Sequence, residues 1–162
     1  MVKFISVLVT LFSLFFFTIA QAEVVDRIVA YVDNYAITLR DFENMVTKMK
    51  NNINQIKNED IVNIMINRAI LLKKAKEFFV EGKEEELINN YIDLQIKSYI
   101  IIPENKIIEY YEKNKEHFKD APYTTVRTEI ERYLFEKELN EKLKAHIEEL
   151  KETVEIKIIF IP

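Results

Sequence analysis

Two segments of this chain alternate as strands do, and they lie at opposite ends of a sequence whose interior repeats every three to four residues. The first is Arg27-Ile28-Val29-Ala30-Tyr31-Val32-Asp33-Asn34-Tyr35, β-branched and aromatic until it meets an Asp-Asn turn signal. The second is Val154-Glu155-Ile156-Lys157-Ile158-Ile159-Phe160-Ile161, with Val154, Ile156, Ile158 and Phe160 on one face. A lone strand leaves backbone donors and acceptors unpaired and does not persist in water. Each segment is the only credible partner for the other, so the sequence predicts a clasp that ties the end of the chain to its beginning. The expected fold class is mainly α, with about five helices and a small two-stranded sheet.

Helical spacing fills the interval. Thr38 with Asp41 reads as a capping-box start, and Phe42, Met45, Val46, Met49 and Ile53 follow on one face. The second helix runs from a cap at Asn58 to a stop at Gly82, with Glu59 and Asp60 suited to its positive end. Its faces, Ile61, Met65, Ala69, Leu72, Ala75 and Phe79 widened by Ile64, Leu71 and Phe78, mark it as the central element, covered on more than one side. A third helix opens at Glu84-Glu85-Glu86 and is expected to run to Ile102, where Pro103 breaks it. Pro103 in its permitted first-turn position begins a fourth, carrying Ile107, Ile108, Tyr110, Tyr111 and Phe118. After Lys119-Asp120-Ala121-Pro122, a fifth helix capped by Thr124 or Thr125 turns Val126, Ile130, Tyr133, Leu134, Leu143, Ile147 and Leu150 inward.

The first 22 residues read as a targeting segment. Lys3 gives a positive start, residues 4–19 form an apolar run, and Ala20-Gln21-Ala22 is a small-x-small cleavage pattern. Cleavage is expected before Glu23. The run is shorter than the roughly 20 apolar residues of a spanning helix, so the product is expected to be exported without stable membrane insertion. Residues 23–162 then suffice for one domain with a real core. The full chain carries a net charge of −4 with no basic stripe, so nucleic acid is not an expected partner. It has no cysteine, so stability must come from packing.

The inventory for catalysis is thin. One glycine, Gly82, cannot build a phosphate loop, a nucleophile elbow or a dinucleotide fingerprint. Ser98 is the only serine after residue 22. His117 and His146 stand in no metal spacing and are expected at the surface. The three glutamates of residues 84–86 fan around a helix axis instead of converging, and serve the helix dipole. No cofactor, metal site or enzymatic activity is therefore expected. Apolar surface remains. Residues 23–162 hold eight tyrosines, six phenylalanines and three methionines, more than thin helices can all bury. Flexible Met and aromatic side chains suit varied partners, and Phe42, Met45 and Met49, with Tyr91 and Tyr99 further on, are the candidate client contacts.

The order of these parts resembles a family. VVDRIVAYVDNYAITLRDFENMV is similar to the mature N-terminus of SurA-type periplasmic chaperones, where a strand, a turn and an Ile-Thr helix start recur. IMINRAILLKKAKEF resembles that family's second helix, IIPENKIIEYYEKNKEHF the helix ending its N-terminal region, and VRTEIERYLFEKELNEKLKAHIEELKETVEIKI its C-terminal helix and strand. The resemblance implies a composite chaperone domain over 23–162, made of an N-terminal part (23–118) and a C-terminal helix and strand (123–162). Between them the family inserts parvulin-type prolyl isomerase domains; here residues 119–122 stand in that place and cannot hold one. The resemblance therefore implies a holdase for unfolded outer-membrane proteins in the periplasm, without isomerase activity. The alternatives are a member of the prolyl isomerase family with residual or no isomerase activity, and a structural adaptor with one fixed partner.

Overall fold

The computed structural model describes residues 26–50, 56–78 and 81–162. The expected targeting segment and the approach to the first strand lie outside the described residues, as does Phe79 on the second helix.

The opening strand β1 (Ile28–Val32) turns back at Asp33-Asn34 into β2 (Tyr35–Thr38), which runs straight into helix α1 (Leu39–Lys50). Then come α2 (Asn58–Phe78), α3 (Glu84–Gln95), α4 (Glu104–Lys113), α5 (Tyr123–Lys151) and β3 (Ile156–Ile158). The fold is mainly α with five helices among the described residues, as the periodicity predicts. The sheet has three strands instead of two, in the order β2-β1-β3, all antiparallel.

The clasp pairs Ala30 with Ile158, Tyr31 with Lys157 and Val32 with Ile156. The strand that sequence reading missed is β2, which pairs Val32 with Tyr35, Tyr31 with Ala36 and Ala30 with Ile37. It is four residues long and ends where Thr38 caps α1, so its alternation is cut off before it becomes legible. The turn signal was present. Asp33 takes φ 49, the left-handed region that Asp tolerates, and a two-residue loop of this kind folds a strand back on itself. The hairpin satisfies the second edge of β1, which a two-stranded sheet would leave open.

Thr38 and Asp41 form the expected box. The Asp41 N–H donates to Thr38 Oγ1 at 3.2 Å, and the Thr38 N–H donates to Asp41 Oδ2 at 3.0 Å. α2 is the central element, burying Val62, Ile66 and Ile70 in addition to its predicted stripe, whereas Phe78 at its end is exposed. The Asn58 side chain is spent on the Pro162 carbonyl, so the chain's last described residue is held at the start of α2. Gly82 sits at φ 142, a conformation that side chains disfavour, and a Cβ there would lie 3.0 Å from Leu87 Cδ2.

Three helix boundaries differ from expectation. α3 stops at Gln95 instead of Ile102: a 3₁₀ turn over Lys97–Tyr99 redirects the chain, and Ile96 and Ile100 are buried. Continuing the helix would rotate those two isoleucines to positions set by a 3.6-residue period and not by the neighbouring packing. Pro103 and Pro122 occupy the residues before α4 and α5, where a missing N–H costs nothing, and neither Thr124 nor Thr125 caps α5.

α5 is 29 residues long and serves two cores. Ile147 and Leu150 at its C-terminal end join the large core of the sheet, α1, α2 and α3. Val126 and Ile130 at its N-terminal end join Ile107 of α4 in a small core ringed by Ile102, Tyr110, Tyr111, Phe118, Ala121, Tyr123 and Leu134. Tyr133, expected to face inward, is exposed beside the small core, its ring centroid 5.2 Å from that of Tyr110.

Candidate functional site

The five candidate contacts separate into three environments. Phe42 and Tyr91 are 5% and 3% exposed and belong to the large core, so neither presents a surface to a client. Both lie on the face that their helical spacing assigns to packing. Met45 and Met49 are half-buried against the same core, and Met45 also lines a cleft. Tyr99 is 73% exposed, on the 3₁₀ turn after α3.

Tyr91 is fixed from several sides. Its hydroxyl lies 2.8 Å from His146 Nε2 on α5, and its ring packs against Phe78 of α2 with centroids 5.5 Å apart. Burial pushes the Tyr91 hydroxyl above the ordinary tyrosine pKa, with the Glu77 carboxylate adding to the shift. His146 is accordingly half-buried and partnered, not the surface histidine that its charged neighbours in sequence imply. His117 is exposed, with its ring edge-on to Phe118. The Ser98 hydroxyl donates to the Leu94 carbonyl at 2.8 Å, one helical turn back. Among the described residues no His, Cys, Asp or Glu cluster could hold a metal ion, and no helix is long and apolar enough to cross a membrane.

Several open hollows indent the surface of the described residues, and three of them bear on the candidate contacts. One of about 570 Å³ lies between the hairpin and α2, with Val32, Tyr35, Ala69 and Leu72 as walls and Asp33, Lys73 and Lys76 at the rim. Lys73 Nζ is 2.6 Å from Asp33 Oδ2. That bond and the Glu155 N–H on the other carboxylate oxygen hold the Asp33 pKa below the usual carboxylate range. A second hollow, of about 220 Å³, lies on the other side of Tyr35 between α1 and α2, and Met45 lines it. Tyr35 is thus a half-exposed ring dividing two hollows, a role hidden from sequence reading because it sits where the strand was expected to end.

The third hollow, of about 390 Å³, lies where the chain passes from α3 to α4 beside the middle of α5. Ile101, Ile102, Pro103 and Leu134 form its apolar part, and Lys106, Lys137, Glu138 and Glu141 its polar part. Ile101 is 83% exposed, and Tyr99 stands two residues before it. Leu94, Ile108 and Tyr133 are also exposed on the flanking helices. Ile101 was not singled out in the sequence because a helix running to Ile102 would have placed it among packed neighbours.

Among the described residues the arrangement offers apolar contacts separated by charged rims. Comparison of the chain with protein-family models, with curated proteins and with solved structures gave no match.

Proposed function

We propose that this chain is a periplasmic holdase, similar in kind to SurA-type chaperones without their isomerase domains, that binds unfolded outer-membrane proteins and performs no catalysis. The observation that supports this reading is the exposure of Tyr99 and Ile101 beside a hollow with an apolar wall at the edge of the small core. Exposed apolar side chains that lie together, unlike ones scattered singly, mark sites of interaction. Each contact is small, and the charged residues around the hollow keep the free protein soluble. Weak, separated contacts suit a client that must be held unfolded and then released without nucleotide.

The test is suppression of aggregation of a urea-unfolded porin by the protein at stoichiometric amounts. Wild type should suppress it, and the double substitution Tyr99→Ser with Ile101→Ser should weaken suppression several-fold at unchanged thermal stability, since neither side chain is buried. No suppression by wild type would sink the proposal. A protease-coupled assay on a proline tetrapeptide should return the uncatalysed isomerisation rate.

A further inference from the structure

Among the described residues β3 is an edge strand, with β1 on one side and no strand on the other. Its hydrogen-bond phase follows from two contacts. The Asp33 N–H donates to the Glu155 carbonyl at 2.8 Å, and the Ile159 N–H donates to the Val29 carbonyl at 2.8 Å. Backbone groups in an antiparallel pair alternate between facing the partner and facing away. Glu155, Lys157 and Ile159 therefore face β1, while Ile156 and Ile158 direct their N–H and C=O groups outward. No described residue pairs with those groups.

The side chains around this edge are apolar and open: Ile158 and Ile159 are each 47% exposed, and Ile161 is also exposed. Proteins usually protect such an edge with charge, proline or a bulge. Here the edge is blunted by its length, three residues, and by one charge, Lys157, which discriminates between occupants. A second copy laid antiparallel in full overlap would set Lys157 against Lys157, and like charges directly opposite are unfavourable. A foreign strand with an acidic or uncharged residue at that position meets no such penalty.

We propose that the free edge of β3 captures an extended, alternating segment of an unfolded client by β-strand addition, with an acidic or uncharged residue set opposite Lys157. This deepens the holdase reading and rests on it: main-chain pairing is indifferent to most of the client's sequence, and segments destined to become membrane strands alternate in this way.

The probe is a labelled alternating peptide of about ten residues, the length of a membrane strand, carrying one central glutamate. Ile158→Pro removes only an outward N–H, a change that an edge strand tolerates. It should weaken peptide binding about fivefold, the worth of one backbone hydrogen bond, with Ile158→Ala losing less. Lys157→Glu should reverse the preference between glutamate-bearing and lysine-bearing peptides. If Ile158→Pro fails to fold, amide exchange in the wild-type protein decides instead: the Ile156 and Ile158 amides should slow when peptide is added. Unchanged exchange at both amides, or full affinity in a folded Ile158→Pro, overturns the edge assignment while leaving porin protection intact. Dimerisation that protects these amides without peptide overturns it in favour of a second copy. Failure of wild type to bind peptide and to protect the porin removes both readings together.

Discussion

The core around α2 closes only when Ala30 meets Ile158, whereas the core around Ile107 is assembled from residues 102–134. The large core gathers both ends of the described chain: the hairpin and α1 from one end, Ile147, Leu150 and the clasp strand from the other. The small core is a helix–turn–helix unit, and its polar contacts are local too. Arg127 bridges Glu104 and Glu131, Tyr123 donates to Glu104, and the Tyr111 hydroxyl donates to the Ala121 carbonyl at 2.9 Å. Local contacts cost little loop entropy, so the small core can form before the large one, which must wait for the whole chain. The difference also bears on residues 119–122. Lys119 and Asp120 take positive φ, and Ala121 packs on the small core, so a domain inserted there would have to leave from a tightly held turn and not from a slack linker.

The harshest way to break this comparison is truncation before Val154. It removes β3 and the Phe160 ring, over which Arg27 sits at 4.5 Å, and should cost the large core on the order of 4 kcal/mol or more from lost apolar burial. Amide exchange should lose protection in β1 and α2 while α4 and the start of α5 keep theirs. Simultaneous loss everywhere would mean that the two cores are one cooperative unit.

A gentler probe is the same substitution in each core. Ile70 and Ile107 are both fully buried. Ile70→Ala should cost about 4 kcal/mol and Ile107→Ala about 2 kcal/mol in urea unfolding, because the half-exposed ring around Ile107 can collapse into the hole. Equal costs would refute the distinction.

Tyr91→Phe tests the seam between α3 and α5 within the large core. Losing one part-buried hydrogen bond to His146 should lower stability by about 1 kcal/mol, read by the same unfolding curve. Ile107→Ala and Tyr91→Phe should add in the double variant if the cores are independent.

The smallest expected effect is on acid sensitivity. Asp33 in the clasp and Glu104 in the small core both have lowered pKa values, Asp33 chiefly through its bond from Lys73 and Glu104 chiefly through its bond from Arg127. A lowered carboxylate pKa contributes stability that is fully present above the unfolded value, 3.8 for Asp33 and 4.5 for Glu104, and is lost as pH falls through the folded value. Asp33→Asn should therefore flatten the melting-temperature loss below pH 4 at the β1 and β3 amides, and Glu104→Gln should do so at α4. Both carboxylates are solvent-facing, so each change should be slight.

Much of this architecture was legible in the residues. The five helices, the α1 capping box and the pairing of the chain's two ends follow from periodicity, cap chemistry and the need of a strand for a partner. β2 was hidden because four residues between a turn and a cap carry too few alternations to outweigh a helix start. The early end of α3 was hidden because Ile96, Ile100, Ile101 and Ile102 satisfy a helical stripe and an extended segment equally well. The candidate surface suffered most from this. Phe42 and Tyr91 lie on the faces that helical spacing assigns to packing, and nothing in the sequence marks an apolar side chain left open for a client.

By itself, then, the sequence determined the element types and the closure of the chain, since those depend on local spacing, turn chemistry and backbone hydrogen bonding. Which apolar side chains stayed in water was decided only in three dimensions. Tyr99 and Ile101 are open because the chain leaves α3 early, Tyr35 because a second edge strand forms, and Ile158 because β1 has only one further side to offer. Exposure is a property of neighbours, and those neighbours are local around Tyr99 and Ile101 but come from opposite ends of the described chain around Ile158.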